Sequence, residues 1–194
     1  MRGAWRGVRE AAMELFDVVD ENGQPTGQVV SREVAHRDGV RHRTAHMWVT
    51  RQVGGRAQVL LQKRAAGKDS FPGCYDTSSA GHVRAGDEPL ASAVRELAEE
   101  LGIHAVPRDL RFLGTFHIKF AREFHGSTFR DDEVSFVYLY TRPVDAARLV
   151  LQAEEVERVD WFDLGAVRDA CLRRDPRFCV SMGDVELLCS ALGG

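Results

Sequence analysis

The chain lacks long apolar runs, has no excess of basic charge and contains few cysteines. No stretch approaches the roughly eighteen consecutive apolar residues of a membrane-spanning helix, which argues against a membrane protein. With 26 basic and 29 acidic residues the formal net charge is −3, so the basic excess typical of proteins that bind nucleic-acid polymers or membrane surfaces is missing. The first residues also lack the apolar core of a secretory signal, and we expect a cytoplasmic protein.

The four cysteines show neither a C-x-x-C pair nor the spacing of a zinc site. We expect reduced thiols, with a pairing among the last three left open. The content of 44% hydrophobic and 28% charged residues excludes disorder and a disulfide-stapled miniprotein. A length of 194 residues predicts a single domain over 1–194, with 1–12 as a loose lead-in.

Segments typical of strands and of helices interleave without strict alternation. Turn residues between 15–20 and 27–31 predict a hairpin, and an apolar stripe that ends at Gly102 predicts a helix over about 88–101. This mixture predicts an α/β fold in which helices cover both faces of a mixed sheet. The other predictions are strands at 46–50, 57–63, 109–120, 132–141 and 156–162, helices at 31–39, 163–173 and 181–192, and loops at 64–80 and 121–131.

The polar face of the 88–101 helix carries three carboxylates at positions i, i+3 and i+4, namely Glu96, Glu99 and Glu100. Like charges at this spacing repel one another, and a hard divalent cation such as Mg²⁺ would relieve the repulsion. The neighbouring Arg95 could hold a phosphate or fix Glu99. From these residues alone, a solvated acidic face with an ordinary Arg95–Glu99 pair is the alternative.

The surrounding segment, GHVRAGDEPLASAVRELAEELGI at 81–103, resembles the Nudix box. It has the pattern of Gly, five residues, an acid, seven residues, Arg-Glu, an apolar residue, any residue, Glu-Glu, any residue, Gly and an apolar residue. One position departs from the family, because the first acid is usually Glu and here is Asp87. The residues on the pattern are Gly81, Arg95, Glu96, Leu97, Glu99, Glu100, Gly102 and Ile103.

The resemblance implies a Nudix-type α/β/α sandwich with a loop–helix–loop catalytic motif that binds Mg²⁺ or Mn²⁺. It implies a hydrolase in which water attacks a diphosphate linked to another group, with Arg95, Glu96 and Glu99 as the catalytic residues. Phosphoryl transfer depends mainly on positioning and charge neutralisation, which such a site supplies. The implied metal ligands are the Gly81 carbonyl, Glu96, Glu99 and Glu100.

Over roughly 16–165 the chain is also similar to the isopentenyl-diphosphate isomerase branch of this superfamily, in segments such as FDVVDENGQPTG, AHRDGVRHRTAH and VDWFDL. That branch implies a second metal site, for which imidazole ligands favour Zn²⁺ or Mn²⁺. Ordinary loop histidines, solvated basic residues and a core tryptophan are the alternatives. The implied metal ligands are His36, His42, His82, Asp131 and Glu133, and the implied substrate contacts are Arg64, Lys68 and Trp161.

The isomerases carry a catalytic cysteine immediately before the Gly-His of the box, and here that position is Ala80. A methyl group cannot transfer a proton, so isomerisation is disfavoured. We therefore predict a metal-dependent hydrolase of a nucleoside-diphosphate-X or a related small diphosphate compound. The alternatives are an isopentenyl-diphosphate isomerase and a non-catalytic diphosphate-binding module. The expected partners are a small-molecule diphosphate and, if the chain associates, a second copy in a homodimer.

Overall fold

The computed structural model describes residues 14–193, so the predicted lead-in at 1–12 lies outside the described residues. Strands and helices interleave as the sequence predicts, and in the described part of the chain no helix is long and apolar enough to cross a membrane. The strands are β1 (Leu15–Val19), β2 (Pro25–Ser31), β3 (His42–Val53), β4 (Arg56–Arg64), β5 (Tyr75–Asp76), β6 (Ser79–His82), β7 (Leu110–Phe124), β8 (Ser127–Tyr140) and β9 (Val156–Asp163). The helices are α1 (Arg32–Asp38), α2 (Pro89–Leu101), α3 (Leu164–Leu172) and α4 (Met182–Leu192).

The long strand β3 organises a seven-stranded mixed sheet. It pairs in parallel with β8 and antiparallel with β6 over 44–47, and then pairs antiparallel with β4 over 50–53. β4 in turn pairs antiparallel with β9 and with the short β5, while β7 pairs antiparallel with β8. β3 is thus paired with β6 in its first part and with β4 only over its last four residues. The first half of β3 and the last half of β4 are not hydrogen-bonded to each other.

Two hydrophobic clusters lie on opposite faces of this sheet, since successive side chains of a strand point to opposite sides. Met47 and Val49 of β3 pack in one cluster with Leu97 of α2, whereas Trp48 packs in the other with Leu188 of α4. All of these side chains are fully buried. The result is the α/β/α arrangement that the sequence predicts, with α2 on one face and α3 and α4 on the other.

The prediction of a charged loop at 121–131 is wrong. β7 continues to Phe124 and β8 begins at Ser127, and a two-residue turn at His125 and Gly126 joins them. Both turn residues have positive φ, 49° and 78°, which matches the twist that a tight hairpin turn requires. Asp131 therefore lies inside a strand. The predicted loop at 64–80 likewise contains β5 and the first residues of β6.

Candidate active site

A polar cavity of about 280 Å³ lies where β3 and β4 diverge. Its wall is formed by α1, α2, the strands β3, β4, β6, β7 and β8, and the first turn of α4. Most of the residues singled out in the sequence share this one cavity although they come from distant segments. Those that line it are His36, Arg64, Lys68, Gly81, His82, Arg95, Glu96, Glu99, Glu100, Asp131 and Glu133.

Gly81 allows α2 to approach β6 closely. A Cβ atom at this position would overlap the carboxyl group of Glu96, so only glycine leaves room for that side chain. Arg95 fixes the two neighbouring acids, because its Nη1 donates to Glu96 Oε1 at 2.5 Å and to Glu99 Oε2 at 3.3 Å. Its Nη2 donates to the carbonyl oxygen of His82 at 3.2 Å. Arg95 thus ties the acidic face of α2 to the end of β6.

Glu100 is buried beneath the same wall, with 5% of its surface exposed. One of its carboxylate oxygens accepts from the backbone N–H of Ala80 at 3.2 Å and from Gln62 Nε2 at 3.4 Å. Burial, together with the charge of Glu96, raises the pKa of Glu100 to about 8. Burial also raises the pKa of Glu96 to about 7, opposed by Arg95 and reinforced by Glu99. Two buried acids that repel each other fit a divalent cation, which would supply the missing positive charge.

A second cluster, the histidine–acid cluster, consists of His36, His42, His82, Asp131 and Glu133. The Nε2 atoms of His36 and His82 are 3.2 Å apart, and His42 Nε2 lies 3.6 Å from Glu133 Oε1. Among the described residues, ligand atoms converge within 4.8 Å in two groups of three, His36–His42–His82 and His42–Asp131–Glu133. The α2 glutamates do not form such a group.

The histidine–acid cluster contains buried polar atoms without a hydrogen-bond partner in the described part of the chain: His36 Nδ1, His42 Nε2 and Asp131 Oδ1. Such atoms are costly unless a ligand occupies the space between them. In a tetrahedral site with metal–nitrogen bonds of about 2.1 Å, neighbouring donor atoms are about 3.4 Å apart. With one nitrogen counted for each imidazole, the separations between donor atoms run from 3.2 to 4.0 Å, close to that spacing.

Aromatic rings hold the imidazoles of this cluster in place. Phe16 stacks on both His42 and His82, with ring centroids 4.9 and 4.5 Å apart, and Phe129 stacks on His36 at 4.3 Å. Burial lowers the pKa of His36 to about 4 and lowers that of His82 well below its usual range, an effect that the other imidazoles strengthen. Neutral imidazoles keep a nitrogen lone pair, the form in which histidine binds metal.

The residues predicted to contact substrate are divided by the structure. Arg64 and Lys68 reach the cavity, where Arg64 Nη1 donates to Asp76 at 3.1 Å and Lys68 donates to Glu155. Trp161 does not reach it. This residue packs against the hydrophobic cluster next to α2, with the guanidinium carbon of Arg51 4.1 Å from its ring centre. Trp161 is thus a half-buried aromatic at the edge of this cluster.

Several residues that line the cavity carry no functional prediction from the sequence, in particular His46, Asp184 and Cys179. His46 Nδ1 donates to Asp184 Oδ2 at 2.9 Å, a contact between residues 138 positions apart. No local spacing signals such a pair. The period-2 pattern of β3, which places His46 on the same face as His42, was the only available indication. Cys74, the cysteine nearest to the box in sequence, is not among the residues that line the cavity.

We expect His46→Gln to remove a pH-dependent part of the protein's stability. Burial disfavours a charged imidazole, but the Asp184 carboxylate outweighs it and raises the pKa of His46 to about 9. Because the pKa of His46 is raised in the folded state, the charged ring stabilises the protein fully at a pH below the ordinary pKa of 6.5. This stabilisation is lost as the pH rises through about 9. Between about pH 6 and about pH 10, the wild type should lose on the order of 3 kcal/mol more than the variant in its free energy of unfolding, measured in urea. Equal losses would contradict a charged His46.

Comparison with known proteins agrees with this fold and motif. A family model described as the NUDIX domain matches residues 40–178. Nudix hydrolase 3 of Arabidopsis thaliana is 40% identical over 169 residues, and an uncharacterised Nudix hydrolase of Clostridium acetobutylicum is 37% identical over 143. These alignments cover 86% and 74% of this chain but 21% and 66% of the two relatives, so the chain spans about a fifth of the plant protein and about two thirds of the bacterial one.

The crystal structure of DR0079 from Deinococcus radiodurans has the same fold. The two structures superpose with a TM-score of 0.63 at 18% identity, over 82% of this chain and 90% of the other. The α/β/α sandwich, with its acidic helix beside a polar cavity, thus belongs to a chain whose residues 40–178 match the NUDIX domain. With the family model covering well over half of its length, the chain belongs to the Nudix hydrolase family.

Proposed function

We propose that this chain is a divalent-metal-dependent pyrophosphohydrolase that cleaves the diphosphate linkage of a nucleoside-diphosphate-X or a related small compound. The observation that carries the proposal is the pair of buried carboxylates, Glu96 and Glu100, on the cavity wall. Neither acid has a basic partner sufficient to keep its pKa in the usual range. A divalent cation between them and a diphosphate would meet the charge requirements of both.

The metal ligands in this proposal are the Gly81 carbonyl, Glu96, Glu99 and Glu100. Mg²⁺ or Mn²⁺, when bound there, would neutralise charge that develops on the diphosphate. Arg95 holds Glu96 and Glu99 in one arrangement through Nη1 and is oriented by the His82 carbonyl. Glu96 or Glu99 then orients the attacking water and accepts its proton. Arg64 and Lys68, which also line the cavity, contact the phosphate oxygens in this proposal.

We also infer that the chain is related to the isopentenyl-diphosphate isomerase branch of the family without sharing its reaction. The convergence of His36, His42, His82, Asp131 and Glu133 supports the relationship, since nothing in an ordinary sandwich requires these five residues to meet. In this proposal they hold Zn²⁺ or Mn²⁺.

Ala80 is the feature that argues against isomerisation. It lines the cavity at the position of the isomerase cysteine, and its methyl group cannot donate or accept a proton. Cys179 also lines the cavity, but its contact with the Cys74 thiol, together with burial, raises its pKa well above the usual range. Cys179 therefore stays protonated at neutral pH and does not replace a reactive thiolate there.

Hydrolysis of a panel of diphosphate compounds, followed through the two monophosphate products, tests the proposed function. The panel contains NADH, ADP-ribose, nucleotide sugars, nucleoside triphosphates and isopentenyl diphosphate, each with Mg²⁺ or Mn²⁺ and with products identified by mass. Hydrolysis of one compound that EDTA abolishes is the expected result. Double-bond migration in isopentenyl diphosphate, or binding without turnover across the panel, would contradict it.

Gly81→Ala should reduce turnover about a hundredfold, because the added methyl group displaces the Glu96 carboxylate from the metal site. Steady-state kinetics on the substrate found in the panel measure the effect. Gly67→Ala, at an exposed glycine whose φ is also outside the left-handed range and where a Cβ would meet no atom within 4 Å, controls for the general effect of replacing glycine by alanine. Wild-type turnover in Gly81→Ala would show that the Glu96 position is not critical.

A further inference from the structure

His46 presents one edge of its imidazole to the cavity while the other edge is held from behind. Asp184, fully buried in the first turn of α4, accepts Nδ1–H from His46 at 2.9 Å. The second oxygen of Asp184 accepts the indole Nε1–H of Trp48 at 3.0 Å. Both carboxylate oxygens are thus engaged by ring donors of β3. This arrangement fixes the ring plane of His46 and directs Nε2 away from α4.

Among residues 14–193, the Nε2 edge of His46 has only one distant polar partner. Thr44 Oγ1 lies 3.5 Å away, at the limit of hydrogen bonding, and the same hydroxyl lies 3.2 Å from Glu133 Oε2 and 3.0 Å from Ser135 Oγ. In the β3–β6 pairing His46 is directly opposite Ala80, so both side chains lie on the same face of the sheet. His46 and Ala80 both line the cavity, and Ala80 immediately precedes Gly81.

We propose that His46 is a substrate-binding residue that donates Nε2–H to a non-bridging oxygen of the bound diphosphate, and that Asp184 is its positioning residue. This inference rests on the proposed function, since it places the diphosphate at the Gly81 end of the cavity. The small Ala80 side chain leaves the approach to Nε2 open.

The charges around the cavity explain the need for such a donor. Carboxylates outnumber the Arg and Lys side chains on its wall by nine to five. The carboxylates are Glu14, Asp76, Glu96, Glu99, Glu100, Asp131, Glu133, Glu155 and Asp184. The two basic residues proposed to contact phosphate are already paired with acids, Arg64 with Asp76 and Lys68 with Glu155. His46 instead has its counter-ion behind the ring, so its cavity edge stays available to an anion. Against the opposing effect of burial, Asp184 raises the pKa of His46 to about 9, so the ring is cationic at neutral pH.

Binding of methylenediphosphonate, a non-hydrolysable diphosphate, to the Mg²⁺-loaded full-length protein tests the inference by titration calorimetry. His46→Leu, which has no donor, should weaken binding at least about tenfold. His46→Gln, whose amide nitrogen can still donate, should recover part of the loss, a graded response that a purely structural role does not produce. Asp184→Asn should weaken binding as well. His104→Gln, at an exposed histidine outside the cavity, should bind as the wild type does.

A measurement on the wild type covers the case in which the variants do not fold. The ring ¹⁵Nε2 resonance of His46 should shift when methylenediphosphonate is added with Mg²⁺, while that of His104 stays in place. An unmoved His46 resonance during binding, wild-type affinity in a folded His46→Leu variant, or no binding of the probe at all would overturn the inference. If the wild type hydrolyses a diphosphate but affinity is independent of His46, only the inference fails. If affinity depends on His46 but no compound is hydrolysed, only the proposed function fails.

Discussion

Glu100→Gln is expected to lower turnover by roughly two to three orders of magnitude and, at the same time, to stabilise the metal-free protein. The carboxylate is buried and close to Glu96, so its ionisation destabilises the fold in the absence of a cation. Because the pKa of Glu100 is raised in the folded state, the protein loses stability as the pH rises from 4.5, the ordinary pKa, through about 8. A neutral amide of the same shape avoids this loss, and at pH 8 the gain should be on the order of 4 kcal/mol.

The two effects are measured separately, by kinetics with saturating Mg²⁺ and by urea unfolding with EDTA. Glu88→Gln is the matched control, because Glu88 is exposed at the start of the same helix and its side chain makes no capping hydrogen bond. This control should leave both quantities near the wild-type values. Glu99→Gln should lose turnover like Glu100→Gln but gain little stability, since Glu99 is largely solvated. Near-wild-type turnover in both site variants would remove the proposed mechanism.

The opposite signs of the two Glu100 effects separate a functional acid from a structural one. A carboxylate kept for stability would give a less stable protein when neutralised, because its hydrogen bonds from Ala80 and Gln62 would weaken. A carboxylate kept for a cation is costly until the cation binds. Added Mg²⁺ should therefore raise the unfolding midpoint of the wild type more than that of Glu100→Gln.

Local patterns in the sequence were sufficient to predict α2 and its acidic face. The apolar stripe of α2 packs in the cluster with Leu97 and Leu101, and Gly102 ends the helix in the left-handed conformation. The signals for the other elements are equally local. Turn residues mark the first hairpin, and the other helices begin at the N-caps Ser31, Asp163 and Ser181. Such signals act within a few residues, so a single sequence contains them.

Features that depend on register between distant strands were not predicted from the sequence. The charged residues at 121–131 predict a loop if the whole segment is assumed to be solvated. In the structure the segment forms the ends of two paired strands, joined by the turn at His125 and Gly126. The His46–Asp184 pair requires β3 to face the first turn of α4, which no spacing reveals. The substrate contact that the family resemblance implies for Trp161 stays a prediction, since its side chain packs, partly buried, against the cluster next to α2.

His42→Gln is expected to remove one of two metal equivalents from the protein. The wild type should bind a cation at the α2 glutamates and a second, Zn²⁺ or Mn²⁺, in the histidine–acid cluster. His42 Nδ1 donates to the Val40 carbonyl at 2.8 Å, which leaves its fully buried Nε2 directed at Asp131 and Glu133. Loss of this nitrogen should lower the metal affinity of the second site by more than about a hundredfold. Changes to residues that only support a metal ligand typically lower the affinity by about 10- to 100-fold, and His42 would be a ligand itself.

Metal content after dialysis, together with Mn²⁺ titration calorimetry, distinguishes a metal site from an ordinary set of packed histidines. His117→Gln is the control, since His117 is bonded to Asp132 on the outer part of β7 and lies outside the histidine–acid cluster. If the cluster were only packing, His42→Gln would lower the unfolding midpoint while metal content stayed unchanged. A variant that keeps its α2 metal and its turnover but loses the second equivalent would assign the cluster a supporting role. Loss of turnover together with the second equivalent would make the cluster part of the catalytic site, because His82 and Glu133 share the cavity with the α2 glutamates.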